Sequence, residues 1–223
     1  HAQSSSSIEI LISMKTSPSK FIRSICFFAS VWLLASSLPA QAQAFCSIRQ
    51  PYAVIQSLFP DIDKPVYRSF MRDFSKESAE KLRQRHHLEF DIRELGTHDI
   101  YAVFDQKTFR GVAHSRTEQA DYGLAEVIVA TDENLKLKDF SFQRCRSRYR
   151  KQFESESIRS VFRGKTSVEL SAMLQPEAVD RFLATYGLEP RAEPLLRAIL
   201  VSSIKTLVLI ESEWGEDLAP LKP

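Results

Sequence analysis

The spacing of hydrophobic positions changes twice along the chain, from helical to alternating and back to helical. Residues 51–59 carry apolar side chains on one side and a proline at the start, which predicts a short helix. Ser75 is placed to cap a second helix that ends near Arg85, with acidic residues early and basic residues late. The N-terminal third is therefore predicted to be helical and polar, and Gly96 closes it.

Four segments that follow Gly96 are rich in β-branched and aromatic residues and are separated by turn-prone sequences. These predicted strands are residues 100–105, 109–115, 122–131 and 135–149. Helical spacing returns in residues 154–163, 176–186 and 194–211, the first two followed directly by glycine. We therefore expect the α+β class, with an antiparallel meander sheet flanked by N- and C-terminal helices.

Residues 14–44 are laid out like an export signal, and residues 1–13 are expected to be upstream sequence that takes no part in the fold. Met14 is followed by basic residues, then by an apolar run broken by serines, and then by small residues ending at Ala42 and Ala44. This order is typical of a secretory signal peptide, and cleavage after Ala44 would start the mature chain at Phe45. The apolar run is shorter than the ~20 residues of a membrane span. We expect a periplasmic protein without a permanent span; an uncleaved anchor helix is the alternative.

The mature stretch, residues 45–223, has the length of one domain, and one domain is expected. The whole chain has 30 basic and 28 acidic residues, and removing the three basic and one acidic residues before residue 45 leaves 27 of each. A dedicated nucleic-acid binder normally carries a basic excess. The balance therefore gives no support to nucleic acid as a partner.

Cysteine and histidine positions predict no familiar metal site. Cys46 and Cys145 are too far apart for a paired metal or redox motif; they could form one disulfide or remain two thiols. The four histidines of the mature chain, which lack metal-site spacing, are His86, His87, His98 and His114. No GxSxG, HExxH, Walker or GxGxxG motif is present. No catalytic template therefore fits, which favours a binding domain over a catalyst with its own substrate.

An ordered series of short motifs spans residues 54–211. The motifs are Leu58-Phe59-Pro60, residues 100–104, 109–113 and 122–129, the stretch Gly164-Lys165-Thr166 with the three residues before it, and Leu196-Arg197-Ala198-Ile199. Together they resemble the FMN-binding domain family. That family occurs in periplasmic flavin-carrying subunits of sodium-pumping NADH:quinone reductases and Rnf-type complexes, and in regulators of nitrous oxide respiration. The resemblance implies FMN as cofactor, periplasmic electron transfer, and a membrane-associated redox complex or another electron-transfer protein as partner.

The family attaches FMN through the threonine of an S-G-A-T motif, and the corresponding residues here are Pro190-Arg191-Ala192-Glu193. Glu193 stands at the acceptor position, where its carboxylate cannot form the same phosphoester and would repel the phosphate. The resemblance therefore implies either a non-covalent flavin binder or a relative that has lost the cofactor. The second alternative is a cofactor-free interaction or sensing module.

Alternating arginines supply the predicted anion site. On a regular strand, Arg144, Arg146, Arg148 and Arg150 would share one face and match phosphate oxygens bidentately; a solvated edge strand is the alternative. Tyr122 and Phe142 are candidates for stacking on the flavin ring or for the core, and residues 164–166 for an anion nest or a helix cap. The predicted cofactor-binding residues are Arg144, Arg146, Arg148, Tyr122, Lys165 and Thr166.

Overall fold

The computed structural model describes residues 47–222 of the chain. The predicted signal peptide, its cleavage site and Cys46 lie outside the described residues, so export and the disulfide stay predictions. Burial raises the pKa of the Cys145 thiol, which is half-buried. Within residues 47–222, none of the helices combines the length and the apolar character needed to cross a membrane.

Five strands form one antiparallel sheet in meander order. They are β1 (Val66–Phe74), β2 (Gly96–Asp105), β3 (Thr108–Ala120), β4 (Gly123–Thr131) and β5 (Leu137–Arg144). The predicted α+β class and meander are confirmed, and β2 begins at Gly96, four residues before its predicted start at Ile100. The last strand ends at Arg144, five residues before its predicted end.

Seven α-helices surround the sheet in the described part of the chain. They are α1 (Pro51–Leu58), α2 (Lys76–His86), α3 (Arg150–Phe153), α4 (Glu156–Phe162), α5 (Ser167–Ala172), α6 (Pro176–Thr185) and α7 (Glu193–Leu218). Three 3₁₀ turns complete the path: Ile92–Glu94, Pro190–Ala192 and Ala219–Leu221. The two predicted N-terminal helices are confirmed, and the Ser75 hydroxyl accepts a hydrogen bond from the Ser78 amide at 3.1 Å.

Sequence reasoning was wrong about residues 66–74, which form a strand rather than part of a helical section. Strand β1 lies at the edge of the sheet and is exposed at most positions. Polar residues such as Arg68 and Asp73 therefore fall on both of its faces, and the alternation that predicts a strand is hidden. The predicted helix over residues 154–163 corresponds to α4, and neither α3 nor α5 was predicted.

Each face of the sheet covers a separate hydrophobic core. One core lies under α7, which packs across β3, β4 and β5. Its largest fully buried side chain is Trp214. The smaller core contains α1 residues Ile55 and Leu58 packed near Tyr101 and Ile128 of the sheet. The long helix α7 therefore covers β3, β4 and β5 on one face of the sheet.

Candidate functional site

The predicted arginine face does not form. A β-bulge interrupts the pairing of β4 with β5, so that Glu126 pairs with Arg144 while the next residue, Val127, pairs with Phe142. Because paired residues share a face, the extra residue Gln143 turns Arg144 to the face opposite Phe142. The other three arginines of the series follow the end of β5 and have no strand to align them. The single arginine face was a wrong prediction.

Three of these arginines face carboxylates. Arg144 Nη1 lies 4.0 Å from Glu126 Oε1, and Arg150 Nε lies 2.9 Å from Glu154 Oε1. Arg148 pairs through Nη2 with Glu189, which also accepts a hydrogen bond from the Tyr149 hydroxyl at 2.8 Å. The side chain of Arg146 is exposed. The guanidinium groups therefore neutralise different acidic residues instead of converging on one anion.

A loop cluster, defined as Asp121, Tyr122, Arg148 and Glu189, lies beyond the end of β5. Ser147 joins its parts by donating a hydrogen bond to Asp121 at 2.8 Å. Tyr122 is 59% exposed in the turn between β3 and β4. Glu189 precedes the 3₁₀ turn that leads into α7, whose first residue is Glu193. Two of the predicted residues, Tyr122 and Arg148, thus belong to one cluster with Glu189, four residues before Glu193, whereas Phe142 is in the core.

Lys165 and Thr166 lie at the other end of β5. The Lys165 carbonyl accepts a hydrogen bond from the amide of Leu137, the first residue of that strand. At about 3.3 Å per residue, the seven steps from there to Arg144 span about 23 Å. Thr166 is the N-cap of α5 and exchanges hydrogen bonds with Glu169. The six predicted residues therefore do not form one phosphate site.

A buried charge cluster lies instead between the sheet and α7. It consists of Glu94, Arg116, Glu118 and Lys205. Lys205 Nζ lies 2.9 Å from Glu94 Oε2 and 3.2 Å from Glu118 Oε1, and Arg116 Nη2 pairs with Glu94. Arg116 and Lys205 are only 2% and 6% exposed. Two cations and two carboxylates are thus removed from water together, which is favourable only when each is paired.

The two carboxyl groups of the cluster have opposite pKa shifts. Burial by itself raises the pKa of Glu94, but Arg116, Lys205 and two hydrogen bonds outweigh burial and lower it. Burial raises the pKa of Glu118, and there the same two cations do not compensate for it. Glu118 is therefore the carboxyl group of the pair that takes up a proton first on acidification.

A histidine chain, defined as the Glu94 carbonyl, His98, His114 and Thr206, lies beside this cluster. His98 Nε2 is 2.7 Å from the Glu94 carbonyl oxygen, and His98 Nδ1 is 3.3 Å from His114 Nε2. His114 Nδ1 is 3.2 Å from the Thr206 hydroxyl on α7. Both imidazoles are buried. The histidine chain joins the Ile92–Glu94 turn, strands β2 and β3, and α7 through hydrogen bonds of the two imidazoles.

A cavity of about 350 Å³ opens beside the buried charges. Glu118, Lys205, Phe90 and Leu124 contribute to its lining. Lys205 Nζ lies 5.3 Å from the centroid of the Phe90 ring, a cation–π distance. Within the described part of the chain, Arg116 Nε and Nη1 and Glu118 Oε1 have no hydrogen-bond partner, although Glu118 Oε1 is within ion-pair distance of Lys205. The cluster is neutral overall but incompletely hydrogen-bonded.

Comparison with known proteins does not assign the chain to a family. The chain matches no protein-family model, and no curated protein matches it. Among residues 47–222, no group of three or more His, Cys, Asp and Glu side chains is arranged to hold a metal ion. The FMN-binding resemblance therefore depends on the short sequence motifs alone.

Proposed function

We propose that this chain is a cofactor-free interaction or sensing module of the periplasm, and that its partner is a membrane-associated redox complex. The observation that carries the proposal is the charge around the flavin-attachment position. Glu193 replaces the acceptor hydroxyl and pairs with Arg197, whose Nε lies 2.7 Å from Glu193 Oε1. Glu189, four residues earlier, pairs with Arg148. A flavin phosphate at this position would meet carboxylates whose counter-ions are already engaged.

The size of the repulsion supports this proposal. A phosphate monoester carries about −1.5 to −2 charges at neutral pH. Two unit charges of the same sign 4 Å apart repel by about 4 kcal/mol at an effective dielectric constant of about 20. Binding would also require Arg148 to leave Glu189. These costs favour a module that holds no flavin at the loop cluster.

Exposed apolar side chains at the loop cluster suit contact with a protein partner. Tyr122, in the turn before β4, and Leu124, the second residue of β4, are 59% and 43% exposed. Aromatic side chains with a polar tip are common at protein interfaces because they bury a large area and keep a hydrogen-bonding group. The partner itself is proposed from the family resemblance.

A second candidate function is non-covalent FMN binding for periplasmic electron transfer. Its supporting observation is that an exposed aromatic ring, Tyr122, and a guanidinium, Arg148, belong to the same loop cluster. In that case FMN would carry the electrons, and the protein would set its orientation and potential.

Flavin content separates the two candidates. The full chain, co-expressed with a flavin transferase and purified, is expected to show no flavin absorption band and no FMN mass increment after denaturation. The mass increment is expected to be absent because Glu193 occupies the acceptor position. The absorption band is expected to be absent because Arg148 is already paired with Glu189. A known flavinylated domain expressed alongside it is the positive control. An FMN increment on any serine or threonine, or a flavin that co-purifies with the folded chain, would contradict the proposal.

A further inference from the structure

The directions of the hydrogen bonds in the histidine chain follow from its first member. The Glu94 carbonyl only accepts, so His98 Nε2 donates to it. In a neutral imidazole the other nitrogen then accepts, so His98 Nδ1 accepts from His114 Nε2. By the same rule His114 Nδ1 accepts from the Thr206 hydroxyl. These three hydrogen bonds are all formed when both imidazoles are neutral and carry their proton on Nε2.

The histidine chain connects the sheet to the long helix α7. Strands β2 and β3 pair so that Ile100 lies opposite His114, which places His98 diagonally across from it on the same face of the sheet. That face is covered by α7. Thr206, fully buried near the middle of α7, is the last member of the histidine chain and is hydrogen-bonded to His114. The histidine chain is thus a polar link between the sheet and the long helix.

We infer that the histidine chain is an acid-sensitive link, which is intact when both imidazoles are neutral and loosens α7 from the sheet when one of them is protonated. A proton on His98 Nδ1 would point at the Nε2 proton of His114. A proton on His114 Nδ1 would require the Thr206 hydroxyl to change from donor to acceptor. In both cases a positive charge is added beside Arg116 and Lys205.

The surrounding charges oppose that proton on balance. The charged groups that act on the pair are Asp73 of β1, Glu94 of the preceding turn and Arg116 of β3. Behind them, Glu118 of β3 and Lys205 of α7 lie against Arg116 and Glu94. Burial, followed by Arg116, lowers the pKa of His98 to about 4, although Glu94 and Asp73 act in the opposite direction. Burial, followed by His98 and Arg116, lowers the pKa of His114 well below its usual value.

The sign of the pH dependence follows from these shifts. As pH falls below about 6.5, imidazoles exposed by loosening of α7 take up protons, whereas the packed imidazoles stay neutral. Acid therefore favours the loosened state progressively between about pH 6.5 and the folded pKa of His98, about 4. Glu118, whose pKa burial raises, acts in the opposite direction: the packed carboxyl takes up a proton before an exposed one does, so its titration favours the packed state and is outweighed by the two histidines.

Trp214 provides the readout. It is fully buried on α7, and its ring centroid lies 6.4 Å from that of His114. The chain has two tryptophans, so the full chain with Trp32→Phe reports on Trp214 alone. On titration from about pH 7.5 to about pH 4, we expect its emission to shift cooperatively to longer wavelength as water reaches the ring. With His98→Gln and His114→Gln added, the midpoint should move down by about one pH unit or more.

A matched control is His87→Asn, which removes an exposed histidine at the left-handed C-cap of α2 and should leave the midpoint unchanged. If the parent's emission does not change down to about pH 4, or if the folded double variant keeps the parent's midpoint, the inference fails. Should the double variant not fold, imidazole nitrogen NMR of the parent decides. Two neutral rings protonated on Nε2 near neutral pH support the link, and an imidazolium or an Nδ1 proton overturns it.

Discussion

Replacing Lys205 with methionine is expected to lower the free energy of unfolding by about 3 to 5 kcal/mol, because it leaves two buried carboxylates with Arg116 as their one counter-ion. Lys205 Nζ contacts both oxygens of Glu94, at 3.0 and 2.9 Å, and also Glu118. Methionine has a similar length, so little packing is lost. Urea unfolding followed by Trp214 emission or circular dichroism measures the change.

The matched control is Lys81→Met in the exposed Glu77–Lys81 pair on α2. Both of those side chains are more than 70% exposed, and pairs of this kind contribute less than about 1 kcal/mol. A loss below about 1 kcal/mol for Lys205→Met would mean that the buried charge cluster does not hold α7 against the sheet.

Gly111→Ala is expected to cost about 2 to 6 kcal/mol, the sum of backbone strain and overpacking. Gly111 in β3 has a φ of +139°, and a Cβ built on it would lie 1.9 Å from the backbone carbonyl oxygen of Thr131. That oxygen cannot move freely, because Thr131 ends β4 and its hydroxyl accepts a hydrogen bond from the Val112 amide at 3.0 Å. Chemical unfolding of the purified variant measures the loss.

Gly215→Ala is the control for this substitution. Gly215 lies in α7 with helical backbone, and a Cβ there would meet no atom within 4 Å. Alanine is a better helix former than glycine, so this variant should be unchanged or more stable by up to about 1 kcal/mol. Similar losses for the two variants would show that the close approach of β3 to Thr131 is not what requires glycine.

Much of the architecture could be predicted from sequence because strong local signals marked it. Gly96 separated a helical from an alternating section, and β2 begins there. Turn-prone pairs such as Ala120-Asp121 marked the hairpins, and adjacent strands pair in order. Strand β1 was missed because an exposed edge strand has no buried face to produce alternation.

The arginine site was mispredicted because period-two reasoning assumes an uninterrupted strand. One extra residue, Gln143, reverses the faces, and a bulge of this kind has no clear sequence signal. The correct strand end at Arg144 would have removed three of the four arginines from the face. A prediction of the phosphate site therefore needed the register of β5 with β4.

The buried charge cluster was missed for a different reason. Its members lie far apart in sequence: 111 residues separate Glu94 from Lys205. One local signal was available, since Lys205 is the single charged residue between Arg197 and Glu211 in a stretch of apolar, serine and threonine residues of α7. A lone lysine in such a stretch indicates a buried ion pair. His114 and Arg116 carried a similar signal, because β3 alternates them with buried residues on the opposite face.

Titration of FMN with the full chain, followed by flavin fluorescence at fixed ionic strength, tests the proposed cofactor-free function most directly. We predict no saturable change, corresponding to a Kd weaker than about 1 mM. The reason is that Arg144, Arg148 and Arg150 are already paired with Glu126, Glu189 and Glu154, respectively. Saturable binding with a micromolar Kd would contradict the account. If Arg148→Ala weakened that binding at least about tenfold while the α2 control Arg83→Ala did not, the loop cluster would be an FMN phosphate site.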